Sequence, residues 1–336
     1  MRFFNINLNH AARSLAGAAV MAVAMAGAAA AADWKCYTFI PVATDPTYLA
    51  HQELAKELKE KSAGSIDMNC FLGGALPIKS NTIVQAVSDG VIQFASANPN
   101  ALQTVVQYAG VLSLPGLFDN DAELEKGLEI ATPFIESALK ERGVRLLAWS
   151  HFPQAAVFGI GEINDAAAIK DLKVRVSTPE QSELIRRLGG TPVVISSPEV
   201  SSALSTGVIQ GVLTSNSGGG RAWKDLFKST FRLGTNFTPF AYIVNERAFQ
   251  ELSDADKTLL TDTVRAYAAQ ITEALVSDDE NILREFETGG MKVYRPEGAD
   301  QTLVASLMRD YWDIWGAEKG EEAAKVLADI RAALGK

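Results

Sequence analysis

The chain has 336 residues, about two domains at ~150 residues apiece. Apolar residues make up 47% and charged residues 21%, an ordinary globular composition; a net charge of −9 argues against nucleic acid or an anionic membrane as the main partner. Three His and two Cys exclude a zinc-finger array or a disulfide-built scaffold and leave little for a His-rich metal site.

Residues 1–32 read as an export signal. Arg2 and Arg13 supply the basic part, Ser14 to Ala32 is uncharged and rich in Ala, Val and Met, and the run closes on small residues ahead of Asp33. The apolar stretch is short and Ala-rich for a membrane span. No Cys follows it, so a lipoprotein anchor is not expected. The mature chain, more acidic without those two Arg, is expected in the periplasm as a monomer.

In chain order, Trp34 to Ile40 reads as a strand, Leu49 to Lys61 as a helix ending near Gly64, and Ile66 to Leu72 as a second strand. Cys36 and Cys70 lie on these two strands. A βαβ unit places such strands side by side, so a Cys36–Cys70 disulfide is feasible in an oxidising compartment; two buried thiols are the alternative. Ala122 to Arg142 reads as a helix and Val144 to Trp149 as a strand. Leu172 to Val176 is a strand, a helix follows from about Glu180 to Leu188, and Thr191 to Ile195 is again a strand. Ser253-Asp-Ala-Asp256 resembles a capping box, after which a helical pattern runs without Pro or Gly to about Thr288. At ~1.5 Å per residue it spans about 50 Å, enough to brace two lobes.

An internal repeat is the most informative feature. Ser80-Asn-Thr-Ile-Val-Gln-Ala-Val-Ser-Asp-Gly-Val-Ile-Gln93 recurs as Ser197-Pro-Glu-Val-Ser-Ser-Ala-Leu-Ser-Thr-Gly-Val-Ile-Gln210. Ser80 and Ser197 are N-cap residues, Pro198 suits a first helical turn, and Gly90 and Gly207 suit a helix stop. Each copy is expected to be one helix–turn–strand unit per lobe, with strands over Val91 to Ala97 and Val208 to Thr214. Ligands of open α/β sheets gather beyond the carboxyl ends of the strands. Asn98, Thr214 and Ser215 sit at those ends; ordinary turn chemistry is the competing explanation for each.

Signatures of catalysis are thin. The mature chain keeps only His51 and His151, and it lacks a G-x-S-x-G elbow, H-E-x-x-H, a P-loop and a full G-x-G-x-x-G. No cofactor is expected. Gly218-Gly219-Gly220 follows a polar strand end and suits either close backbone approach to a ligand or a flexible loop. Arg175 stands apart, set between apolar neighbours near the end of its strand. A guanidinium there suits bidentate capture of a carboxylate, with a structural ion pair as the alternative.

The residues then carry a resemblance. Ile169-Lys-Asp-Leu-Lys-Val-Arg-Val176, Leu188-Gly-Gly-Thr-Pro-Val193, Glu199-Val200, Ala203-Leu204 and Gly207-Val-Ile-Gln-Gly211 resemble the solute-binding proteins of TRAP (tripartite ATP-independent periplasmic) transporters, of the C4-dicarboxylate-binding type. So do Phe71-Leu-Gly-Gly-Ala-Leu76, Gly90-Val-Ile-Gln-Phe94, Val111-Leu-Ser-Leu-Pro-Gly-Leu-Phe118, Thr235-Asn236 and Asn245. The resemblance implies a two-lobed α/β periplasmic-binding-protein fold that closes on a small organic acid and delivers it to integral-membrane permease subunits. It places the carboxylate-gripping Arg on Arg175 and a polar contact on Asn98. Thr214 stands where the family often has Asn, Ser197 where an aromatic is frequent, and Pro153 where many members carry a second Arg. A singly charged acid is therefore favoured over a diacid, unless a cation such as Arg221 reaches in. Trp223 and Phe237, with Phe240 and Tyr242, suit apolar walls or plain core packing. Lobe I is expected over 33–152 plus 241–280, and lobe II over 153–240 plus 281–336. The competing readings are a receptor for an ATP-driven importer and, in another class, a secreted bilobal enzyme.

Overall fold

The structure, a computed structural model, describes residues 32–336. The export signal expected at residues 1–32 lies outside the described residues, Ala32 excepted. Strands β1 (Ala32–Tyr37), β2 (Ile66–Phe71), β3 (Phe94–Ala97), β4 (Val144–Phe152), β5 (Ala156–Gly159), β6 (Lys173–Val176), β7 (Thr191–Val194), β8 (Gly211–Thr214), β9 (Ser229–Phe231), β10 (Thr238–Asn245) and β11 (Lys292–Tyr294) build two sheets. The first has the order β2-β1-β3-β10-β4, the second β11-β9-β5-β8-β6-β7. In each, three parallel strands meet one antiparallel neighbour: β2, β1 and β3 then β10, and β7, β6 and β8 then β5. The lobes are two versions of one unit.

The repeat lies at the heart of that unit. Helices Ile83–Ser88 and Val200–Ser205 each lead through a turn into the central strand of their sheet. Gly90 and Gly207 adopt φ of +70° and +71°, a left-handed turn open to residues without a Cβ. The strands begin at Phe94 and Gly211, later than Val91 and Val208, because the intervening amides still bond back to the helix. Val91 N–H reaches the Ala86 carbonyl at 3.0 Å, and Ile209 N–H reaches that of Ala203 at 3.3 Å.

Local chemistry explains the flanking elements. Asp45 accepts the Thr47 amide at 2.8 Å and Pro46 occupies the first turn, so the first helix runs Pro46–Lys61, starting ahead of Leu49. Cys36 and Cys70 are directly opposed in the β1–β2 register, with Cα atoms 4.2 Å apart, and they are disulfide-bonded. The strand β10, for which no expectation was formed, is almost wholly buried and pairs antiparallel with both β3 and β4.

The chain passes between the sheets at three places. Segments 153–155 and 232–237 run side by side, tied by Ala155 N–H to Asn236 O at 2.8 Å and Thr235 N–H to Ala155 O at 3.0 Å. The third passage is helical. The helix expected to run unbroken to Thr288 is divided at Asp278 into Asp254–Ser277, which packs on β4, and Asp279–Thr288, which packs beside β11. No Pro or Gly causes the break. Asp278 is held by Arg221 at 3.0 Å and Asp279 by Arg232 at 2.7 Å and Asn216 at 2.8 Å, so the second lobe fixes the start of the second helix. Beyond β11, helices Leu303–Lys319 and Glu321–Leu334 return over the first lobe, the latter against Asp121–Lys140.

One more contact joins the lobes. Glu180, fully buried in the first turn of helix Pro179–Arg187, accepts from Gln103 Nε2 at 3.1 Å and Trp315 Nε1 at 3.0 Å. A Cβ on Gly110 would sit 2.8 Å from that carboxylate, so only glycine permits the approach.

Candidate functional site

The carboxyl ends of β1, β3, β6 and β8 point into a common cleft of about 720 Å³, open solvent at its mouth included. From the first lobe, Phe39, Ile40, Pro41 and Val42 continue β1 as an apolar wall, joined by Asp45, Asn98 and Asn100. From the second come Arg175, Ser177, Gln181, Thr214, Ser215 and Trp223. Symmetry of the repeat explains the convergence: β3 leads into Asn98, and β8 ends at Thr214 and leads into Ser215, because each closes the same helix–turn–strand unit.

Arg175 is the electrostatic focus. It is 6% exposed, and its Nε donates to the Ile195 carbonyl at 2.9 Å. Among the described residues no carboxylate lies within ion-pair distance of it, so the structural ion pair weighed from sequence is not formed. Burial pulls its pKa down to about 10, still cationic at neutral pH but starved of solvation. Trp223 stands 5.9 Å away, its ring facing the guanidinium. A desolvated cation with unused donors and an aromatic neighbour has the chemistry to receive an anion.

The polar shell is positioned by turns. Asn98 caps helix Pro99–Gln103 through its Oδ1, which accepts the Ala101 amide at 2.9 Å, leaving its Nδ2 to the cleft. Thr214 Oγ1 accepts the Gly219 amide at 3.2 Å, and Ser215 opens the turn Asn216–Gly220. The glycines there serve close packing: a Cβ on Gly219 would lie 2.3 Å from Trp223 and 2.6 Å from Thr214 Oγ1. Gln181, which sequence reasoning missed, accepts from Ser177 N at 2.8 Å and Oγ at 2.9 Å and donates to Asn236 at 3.2 Å. It links the cleft to the passage between lobes.

Five of the six residues expected from sequence therefore meet here: Arg175, Asn98, Thr214, Ser215 and Trp223. Phe237 does not. It is buried behind the cleft, with its ring edge-on to His151 at 5.8 Å, because the segment carrying it threads between the sheets. Phe240 and Tyr242 lie on β10 in the core, the first tilted against Phe152 and the second stacked on Phe94. Arg221 is turned away toward Asp278 and Glu285. Pro153 is buried beside Phe152, which does line the cleft. The residues sequence reasoning missed, Phe39 to Val42 and Asp45, follow the end of β1; an Asp-Pro helix start was the signal for the last.

Comparison with known proteins gives a consistent picture. The family described as DctP, bacterial extracellular solute-binding protein family 7, matches residues 40–319. A solute-binding protein of Chromohalobacter salexigens is 24% identical over 94% of this chain and 93% of its own. The ectoine/5-hydroxyectoine-binding periplasmic protein UehA of Ruegeria pomeroyi is 27% identical over 55% of this chain and 56% of its own. Among solved structures, an extracytoplasmic solute receptor of Bordetella pertussis binding pyroglutamic acid superposes with a TM-score of 0.83 at 22% identity, covering 90% of this chain and all (100%) of that one. A TRAP periplasmic solute-binding protein from Roseobacter denitrificans with bound β-D-glucuronate superposes with a TM-score of 0.81 at 23% identity, covering 90% and 99%.

Proposed function

Since the chain belongs to the bacterial extracellular solute-binding protein family 7, we propose that it captures a small organic acid outside the cytoplasm and presents it to a TRAP-type membrane permease. The observation that carries this is Arg175, a buried guanidinium in an interlobe cleft with one backbone acceptor and, among the described residues, no counter-ion. The acid's carboxylate completes its hydrogen bonds, while Asn98 from the opposite lobe and Thr214 and Ser215 beside it hold the remaining polar atoms. Trp223 and the wall Phe39 to Val42 cover the body. Each lobe holds half of the shell, so a ligand that bridges both stabilises the closed state over the open one. Relatives that bind pyroglutamate, glucuronate and ectoine support an acid of this size. The basic-then-apolar pattern of the first 32 residues supports delivery to the periplasm, and among the described residues no helix is long and apolar enough to cross a membrane.

A thermal-shift screen of organic acids on the mature protein tests the receptor reading. An acid that raises the melting temperature of the wild type and leaves Arg175→Ala unmoved supports it. Stabilisation only by solutes without a carboxylate would overturn it. Neighbouring genes for two permease subunits without an ATPase would support the TRAP partner over an ATP-driven importer.

A further inference from the structure

Among the residues lining the cleft, Arg175 is the one cation and Asp45 the one anion. Asp45 is 8% exposed. One carboxylate oxygen accepts the Thr47 amide at 2.8 Å as the cap of helix Pro46–Lys61. Among the described residues no Lys, Arg or His side chain lies within 4.0 Å of it. Arg221, whose charge reaches Asp45 through space, has its guanidinium bound to Asp278 and Glu285. The cleft thus presents two desolvated and unpaired charges of opposite sign, one on each lobe. Where it opens toward Lys79, a second opposite pair is present, but Lys79 is exposed there and Glu199 is bound to Ser196 at 3.2 Å in a capping box.

We propose that Asp45 selects the ligand's second group: the receptor takes an acid carrying one carboxylate for Arg175 and one protonated nitrogen or N–H donor for Asp45, on a compact apolar body. This rests on the anion-receptor reading above and sharpens it. A dicarboxylate closing between the lobes would set its second charge against Asp45. A nitrogen-free monoacid would leave the Asp45 charge with its helix-cap bonds but no donor from the ligand, and sites built to bond an N–H reject such analogues strongly. The raised carboxyl pKa that burial imposes on Asp45 is the corresponding cost in the empty cleft. The apolar wall of Phe39 to Val42 and the Trp223 ring suit a small ring or short chain between the two heads.

The test is calorimetry with matched acids on the wild type, Asp45→Asn and Arg175→Ala. Proline, pipecolate and pyroglutamate carry the nitrogen; cyclopentanecarboxylate and cyclohexanecarboxylate lack it; glutarate carries a second carboxylate. Asn retains an oxygen for the helix cap, so Asp45→Asn isolates the charge. The expected result is that nitrogen acids bind the wild type at least about tenfold more tightly than their carbon counterparts and glutarate, and that Asp45→Asn reduces the preference to below about threefold. Tightest binding of a nitrogen-free acid or of glutarate would overturn the role of Asp45 and leave the receptor reading intact. An undiminished preference in Asp45→Asn would do the same. Binding that survives equally in Arg175→Ala would overturn the anion-receptor reading, and failure of all six acids to bind the wild type would count against both.

Discussion

Gln93 and Gln210 make the same pair of bonds in different lobes. The Gln93 side-chain oxygen accepts the Lys35 amide at 2.9 Å, and the Gln93 backbone N–H donates to the Lys35 carbonyl at 3.0 Å. Gln210 repeats this with Lys173, at 2.9 and 2.8 Å. Each glutamine thus brackets the residue that lies two before a residue at the cleft end of its strand, Tyr37 on β1 and Arg175 on β6. The repeated Gly-Val-Ile-Gln is a register clamp, which is why it survives in both copies while neighbouring positions differ. Replacing either Gln by Ala should cost about 1 kcal/mol, and the two losses should add, since the sites are far apart. Denaturant titration of both single variants and the double variant measures this; a loss confined to one lobe would contradict the equivalence.

Arg175→Ala should weaken ligand binding by ~2–5 kcal/mol, at least about thirtyfold in Kd. The empty protein should lose little stability, because the deleted cation has no counter-ion and pays a desolvation penalty. Calorimetry and melting curves on one preparation separate the two effects. A large stability loss with unchanged affinity would mean that Arg175 is a structural residue.

The disulfide closes a loop with a sequence separation of 34. Chain-entropy reasoning gives ~4 kcal/mol for such a loop, with measured values commonly ~2–4 kcal/mol. A Cys36→Ser, Cys70→Ser double variant should lose stability on that scale and keep its ligand affinity within about threefold. A large change in affinity would show that the β1–β2 pairing sets the shape of the Phe39 to Val42 wall.

His51 lies buried between Phe94 and Tyr242, with Nδ1 2.7 Å from the Thr47 carbonyl. In the neutral ring Nδ1 donates, and the buried Nε2 has no partner. Burial lowers its pKa from 6.5 to about 4. Between these values the unfolded chain binds a proton that the folded chain refuses, so stability falls as pH drops from 6.5 toward 4. The full effect is about 3 kcal/mol. His151, also lowered by burial, acts in the same direction. A His51→Gln variant should show a shallower decline in denaturant stability across that window; an unchanged slope would place the acid sensitivity elsewhere.

How much of this was legible in the sequence depended on whether a residue's environment is written locally. The repeat exposed the two lobes because the same turn needs the same glycine, and Arg175 stood out because a cation among apolar strand residues has few bland uses. Trp223 and Phe237 looked alike as aromatic residues suited to a cleft wall or to core packing, yet one faces the cleft and the other His151. Only the path of segment 232–237 between the sheets separates them. Phe39 and Ile40 read as the end of the strand from Trp34, since a cleft wall and a core strand share one composition, and Pro41 and Val42 carried no reading. The break at Asp278 carried no helix breaker, because its cause is a set of ion pairs supplied by the other lobe.

The Glu180 carboxyl group has a consequence for motion. Separating the lobes at that point would break both its Gln103 and Trp315 bonds, so this contact resists opening there. An opening that spares these bonds pivots near this contact, and its gap widens as a wedge with distance from it. A jaw of that kind has a single lip, on the side of the cleft away from Glu180.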